Sequence, residues 1–228
     1  KGNSGFFNAA TKPQFTRGLF IFLGTAFFYI AITEIPLANA LSLLLVAPII
    51  VVVLSSFILK ERITPIKIIC VLIGFVGTLL VIQPGFTDFN LYSLYALISG
   101  LFYAMYLIYT RKVNFSSDSI VTLSYSTIPG AIIMTLLIPF YWESIPNLSQ
   151  IIIMGCIGPV VIVSHFFFIK AYQYAEASTL APIHYFEIVS NVLISVLFFK
   201  DIPTIAVSIG IMCIISSGVL ISLNQNST

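Results

Sequence analysis

The chain has 228 residues, 59% of them hydrophobic and 8% charged, with ten basic and eight acidic side chains and a formal net charge of +2. Soluble domains average about 45–50% apolar and about 25% charged residues, so this chain cannot cover a compact water-soluble fold. A soluble enzyme, a nucleic-acid binder and a disordered protein are excluded, and the near-neutral charge implies no bulk electrostatic partner.

Apolar blocks close to the ~20 residues that cross a bilayer as helix recur along the chain. In chain order, hydropathy and Gly/Pro punctuation predict spans over 18–33, 37–58, 66–83, 92–110, 119–141, 149–170, 178–199 and 203–222. Short turns such as TEIP, KERITP, QPGFTDFN and KDIP join them. The expected fold class is all-α integral membrane with eight transmembrane helices, since each helix satisfies its own backbone hydrogen bonds. A β-barrel is excluded because LSLLLVAPIIVVVLSSFIL is apolar on every face, whereas barrel strands alternate. Residues 1–17 are polar and Gly/Pro-interrupted, and read as a cytoplasmic tail or loop with no signal peptide. Residues 223–228 read as a cytoplasmic C-terminal tail. Cys70, Cys156 and Cys213, none in a CxxC, read as small buried hydrophobes; no metal and no cofactor are expected.

With the N-terminus inside, nine of the ten basic residues fall on one side: Lys1, Lys12, Arg17, Lys60, Arg62, Lys67, Arg111, Lys112 and Lys170. Lys200 alone falls outside, with Glu34, Asp88, Glu143 and Asp201 in the same outer loops. The positive-inside bias therefore puts both ends of this chain in the cytoplasm of a cell with an inner or plasma membrane.

An offset of 140 residues superimposes the chain on itself without gaps. Gly18 falls on Gly158, Phe27-Phe28 on Phe167-Phe168, Ala31 on Ala171, Ser55 on Ser195, Lys60-Glu61 on Lys200-Asp201 and Thr64 on Thr204. Identity is low, yet helix matches helix and turn matches turn. Five spans separate equivalent helices, and an odd number forces opposite orientation. Inverted repeats of this kind build secondary transporters with a midplane site. The expected organisation is three closing helices of a first repeat (18–84) and a complete five-helix second repeat (92–222). Two further helices are then expected to precede Lys1, and the chain is expected not to transport without them. A natural eight-helix protein is the alternative.

The segment ANALSLLLVAPIIVVVLSSFILKERITPIKIICVLIGFVGTLLVIQPG resembles the second half of an EamA repeat of the drug/metabolite transporter superfamily. Small residues open its first helix, Pro48 lies within it, Glu61 follows at its cytoplasmic end, and Gly74 and Gly77 mark the next helix. The second copy, EASTLAPIHYFEIVSNVLISVLFFKDIP, is similar, with Ile188 in place of proline, Asp201 in place of glutamate and Pro182 lying earlier. LAPIHYFE is also similar to the branch that includes S-adenosylmethionine uptake transporters, where a basic residue stands at the position of His184. The resemblance implies a ten-helix inverted-repeat (5+5) fold, a central cavity and exchange of small metabolites.

Within the spans, Glu187 is the only carboxylate far from either end. A carboxylate at that depth is costly and is expected to face a cavity or a partner. His184 and Asn191, at i−3 and i+4, share its helix face, and Ser195 extends the stripe. The alternative reading of this stripe is hydrogen-bonded glue between helices. Tyr185 lies between His184 and Glu187 and joins the candidate substrate-binding set. The fourth span adds Tyr95, Ser99, Tyr103, Tyr106 and Thr110 at helical spacing; Tyr103 and Tyr106 lie deep enough to offer hydroxyls and aromatic faces to a substrate. His165 on the sixth span, Tyr29, and Asn39 are weaker candidates. Pro48, Pro129, Pro159 and Pro182 can each break or kink a span. Pro182 and Pro48 are the expected hinges. Gly74 with Gly77 and Gly155 with Gly158 are expected to mark close helix contacts.

The leading expectation is a secondary-active or facilitative transporter of a small cationic or zwitterionic metabolite, working by alternating access. Its expected partners are the lipid bilayer, a small-molecule substrate and no nucleic acid, with coupled protons and a homodimer as open candidates. The rivals are a non-transporting membrane assembly module and, with no HExxH or GxSxG motif present, an intramembrane enzyme. Phosphate-bearing substrates are disfavoured, because no Lys or Arg lies at midplane.

Overall fold

The computed structural model describes residues 11–85, 90–114, 119–141, 147–200 and 202–225. The expectations for Lys1, Asp88, Glu143 and Asp201 lie outside them. The described residues form ten α-helices: α1 (Thr11–Ala31), α2 (Leu37–Leu44), α3 (Ala47–Ile58), α4 (Pro65–Ile82), α5 (Leu91–Asn114), α6 (Ser119–Leu137), α7 (Leu148–Tyr174), α8 (Ala177–Leu180), α9 (Phe186–Ile194) and α10 (Ile205–Gln225). Short runs with other hydrogen-bonding patterns adjoin them. Eight stretches are long and apolar enough to cross a membrane, one for each predicted span. The protein is an all-helical, multi-pass membrane protein.

Contacts divide the chain into two units: Lys1–Phe22 with Tyr109–Ala175, and Leu23–Ile108 with Glu176–Thr228. In the first, α1 begins at Thr11, seven residues before the predicted span, so much of the expected tail is helix. Pro13 falls in the first turn, where its missing N–H removes no helical hydrogen bond. Arg17 is fully buried. Its guanidinium donates to Thr110 Oγ1 (3.1 Å), to the Thr122 carbonyl and to Ser126 Oγ, while Gln14 Nε2 donates to Thr122 Oγ1 (2.8 Å). A charge that suggested a loop in the sequence thus belongs to a polar cluster joining α1, α5 and α6. Arg111 donates to the Tyr172 and Gln173 carbonyls (2.7 and 3.1 Å), which the end of α7 leaves without intrahelical partners.

Two expectations for this unit need correction. Every residue of α7 from Leu148 to Ser164 is exposed, Cys156 included, so Cys156 is not a buried hydrophobe. Gly155 and Gly158 on the same stretch have no neighbour within 4 Å of an added Cβ, and so mark no close contact among the described residues. This helix is apolar all round, which suits hydrocarbon rather than a packed interior. Pro129 and Pro159 lie inside helices that continue past them.

In the second unit, α4 and α10 pack along one another. Gly77 meets the backbone of Gly210, and Ser217 Oγ donates to the Cys70 carbonyl (2.8 Å). Contacts that rise along α4 fall along α10, so the two helices are antiparallel. The two ends of α4 also hold the starts of two other spans. Asn39, in the first turn of α2, bonds both the N–H and the carbonyl of Gly85, just past α4 (3.0 and 3.1 Å). At the other end, Lys67 of α4 bonds Glu176 and Ser178, where α8 begins. The 37–58 and 177–199 spans therefore start from opposite ends of α4.

Both spans are broken rather than continuous. The first opens at Leu45 and Val46, between α2 and α3. The second runs as α8, a 3-10 turn (Ala181–Tyr185), α9 and a π turn (Ser195–Phe199). The breaks meet: Tyr185 Oη donates to the Leu45 carbonyl (3.2 Å), across a separation of 140 residues. Lys60 and Lys200, also 140 apart, end their spans with the same left-handed backbone (φ 58° and 59°).

Candidate functional site

Pro48 is the second residue of α3 and has no N–H to give Leu44, four residues back. Ile49 N–H bonds Val46 O instead of Leu45 O, so the Leu45 carbonyl is released as well. The Tyr185 hydroxyl satisfies it. The Tyr185 ring is fully buried, and a Cβ at Gly74 would lie 2.5 Å from it, so only glycine admits the ring there. Tyr185, expected to line a substrate site, instead pins one helix break to the other.

His184 and Phe186 flank Tyr185 and leave in other directions, since successive side chains in a 3-10 turn diverge by ~120°. His184 is half-buried, and its ring meets that of Tyr103 edge-on, 6.3 Å between centroids at 79°. Tyr103 stacks on Tyr106 at 6.1 Å and 21°. Glu187, one turn beyond His184, is exposed. The structure thus brings together Tyr103 and Tyr106 from α5, His184 from the 3-10 turn and Glu187 from α9. An exposed carboxylate near a half-buried phenol and imidazole can bind a cationic or zwitterionic group; Tyr106, almost fully buried, backs Tyr103 from behind.

The other candidates are placed elsewhere. Asn191, exposed on α9, continues the Glu187 face. Tyr29 is exposed near the end of α1, its ring 6.4 Å from Phe28. His165 belongs to the first unit, where its ring lies 6.1 Å from Phe168 and Phe168 packs on Tyr172. Asn39 is occupied by Gly85, and Ser99 donates to the Gly24 carbonyl (2.7 Å), so both hold helices and turns together. Pro182 is the second residue of the 3-10 turn.

Sequence reading missed one polar network. Glu61 Oε1 accepts from Ala177 N–H (2.9 Å), and Glu61 Oε2 accepts from Ser178 N–H and Oγ (2.9 and 2.7 Å). Lys67 Nζ donates to Ser178 Oγ (2.9 Å), to the Arg62 carbonyl (3.0 Å) and to Glu176, with which it forms an ion pair. The left-handed turn at Lys60 aims Glu61 at α8. The partners lie more than a hundred residues apart, so no local pattern announces them.

The model of the EamA-like transporter family matches residues 7–83 and 90–223. The chain belongs to this family. Among curated relatives of this EamA-like chain, the S-adenosylmethionine uptake transporter of Rickettsia conorii is 28% identical over 211 residues, covering 92% of this chain and 71% of the relative. A riboflavin transporter of Brucella anthropi is 22% identical, over 87% of this chain and 72% of its own length. A protein of known crystal structure matches with a TM-score of 0.82 over 97% of this chain and 79% of its own, at 19% identity, which shows a shared fold. The EamA-like membership and these relatives make the chain a membrane transporter of small metabolites.

Proposed function

We propose that this EamA-like protein carries a small cationic or zwitterionic metabolite across the plasma membrane by alternating access, with Glu187 holding the positive group. Tyr103 and His184 form the wall beside it, Tyr106 backs Tyr103, and Asn191 extends the polar face of α9. The observation that carries this reading is the meeting of the Tyr103 and His184 rings, from α5 and the 3-10 turn, with Glu187 exposed one turn beyond His184. A role as helix glue would seat Glu187 between helices, whereas its side chain is exposed. The paired helix breaks at Leu45 and Tyr185 and the opposed starts of their spans support an inverted-repeat transporter, with both ends of this chain cytoplasmic. The relatives' names make S-adenosylmethionine the first substrate to test, and riboflavin the second.

The test is uptake by the full-length protein in proteoliposomes, with S-adenosylmethionine, riboflavin, amino acids and polyamines supplied in turn across pH 5 to 8. Glu187→Gln keeps the size and hydrogen-bonding capacity of the side chain and removes its charge. It should abolish uptake of the cationic substrate, or the pH dependence of uptake if protons are coupled, without changing yield or thermal stability. Normal uptake by Glu187→Gln at every pH, alongside simple destabilisation by Glu187→Ala, would refute the assignment.

A further inference from the structure

The 177–199 span is held very differently along its length. Ala177, Ser178, Thr179, Ala181, Pro182 and Tyr185 are all buried. Glu61 accepts three hydrogen bonds from the first two residues of α8, and Lys67 adds bonds to Ser178 and Glu176. Hydrogen bonds to ionised groups such as these are stronger than neutral ones. Tyr185 closes the anchored stretch on Leu45 and Gly74. Beyond it, the Phe186 ring rests against Gly218 and Ile188 and Val189 are buried, while Glu187, Ser190, Asn191, Leu193 and Ile194 are exposed. Among the described residues no side-chain hydrogen bond joins α9 to another helix. The change from polar tethering to apolar packing alone falls between Tyr185 and Glu187, within the proposed site.

We infer that Glu61 and Lys67 are positioning residues: they fix the first half of this span to the start of α4, so that His184, and with it Glu187 three residues on, is held in place against Tyr103 of α5. The inference rests on the substrate site proposed above. Without the anchor, α8 and the 3-10 turn can slide on α4, and the place of His184 and Glu187 against Tyr103 is no longer fixed. Ser178 is the bridge of the anchor, donating to Glu61 and accepting from Lys67.

The test uses the full-length protein and peptide-resolved maleimide labelling, which needs no substrate. Thr179→Cys places a thiol in the buried stretch, the same thiol in the otherwise unchanged protein is the reference, and Cys70, fully buried on α4, reports general loosening. Adding Glu61→Ala or Lys67→Met should speed labelling at 179 about ten-fold and leave Cys70 protected; Glu61→Gln, which keeps one acceptor, should fall between. If these variants fail to fold, Ser178→Ala removes only the bridge and should give a rise of about three-fold. Unchanged labelling at 179, or a parallel rise at Cys70, overturns the inference. Transport of S-adenosylmethionine supplies the second readout: KM should rise several-fold for Lys67→Met with maximal rate within two-fold, and a fall in rate at unchanged KM also overturns it. Should the parent protein carry no S-adenosylmethionine, the substrate reading fails and the labelling result still decides the anchor.

Discussion

The closest approach of helices in the second unit is between α4 and α10, where Gly77 and Gly210 meet backbone to backbone. Gly210→Ala would place a Cβ 2.6 Å from the Gly77 carbonyl oxygen and 2.8 Å from Val81 Cγ2; Gly77→Ala would place one 2.7 Å from the Gly210 carbonyl oxygen. A carbonyl on a helix axis cannot swing aside as a side-chain tip can. Reaching ordinary contact at 3.4 Å therefore requires the helices to part by about 0.8 Å. A gap of ~0.5–1 Å forfeits roughly a quarter to a half of the dispersion energy of each contact along the seam. Overpacking of this kind costs about 1–3 kcal/mol, so each single variant should lose about 2 kcal/mol. One separation relieves both clashes, so the double variant should cost well under the sum, with a coupling of about 1 kcal/mol or more. Reversible unfolding in mixed detergent–SDS micelles, followed by helical circular dichroism, measures all three. Gly155→Ala and Gly158→Ala on α7, with no neighbour to strike, should leave stability unchanged or raise it by up to ~1 kcal/mol. Strict additivity, or a loss below about 0.5 kcal/mol for both single variants, would refute the argument from close approach.

Three further outcomes follow from single hydrogen-bonded groups and use the same unfolding assay. Asn39→Ala removes both bonds to Gly85 and should cost about 1–3 kcal/mol, since it leaves the backbone groups of Gly85 to find other partners. Tyr185→Phe keeps the ring beside Gly74 but orphans the Leu45 carbonyl, and a loss of about 1–2 kcal/mol is expected; no loss would mean the carbonyl has another partner. Arg17→Met should reduce the yield of folded protein sharply, and Arg17→Lys should restore it only in part, because an ammonium cannot fork to Thr110 and Ser126 as a guanidinium does.

The eight spans were legible in the sequence because crossing a bilayer is a demand on composition and length alone, and neither needs a partner. The offset of 140 residues rests on weak identity in the sequence; in the structure Lys60 and Lys200, also 140 apart, have the same left-handed backbone, and Leu45 meets Tyr185. The exact breaks were not legible. Proline disturbs the bond to the residue four before it, so Pro48 announces a break that appears at Leu45 and Val46. Cys156, Gly155 and Gly158 misled because apolar sequence looks the same whether it faces protein or lipid. Arg17 misled in the opposite sense, since a charge near a predicted boundary reads as loop when its partners on α5 and α6 are unknown.

The candidate site divides along the same line. His184 and Glu187, three residues apart, share a face by local geometry, so their pairing was readable before any tertiary contact was known. Tyr103 joins them by a long-range meeting of α5 with the 3-10 turn, which periodicity proposed only as a stripe on a separate span. Within that stripe, tertiary neighbours sort the residues: Ser99 bonds Gly24, Thr110 bonds Arg17, and Tyr103 faces His184. Tyr185 fails for a local reason, because a 3-10 turn of three residues per turn sends it away from both its neighbours and toward Gly74. Its buried hydroxyl then meets the carbonyl released at the other break. The two breaks are therefore mutually dependent: the donor supplied by the second span satisfies the acceptor freed in the first, and His184 and Glu187 stand on the sides of that turn which this contact leaves unused.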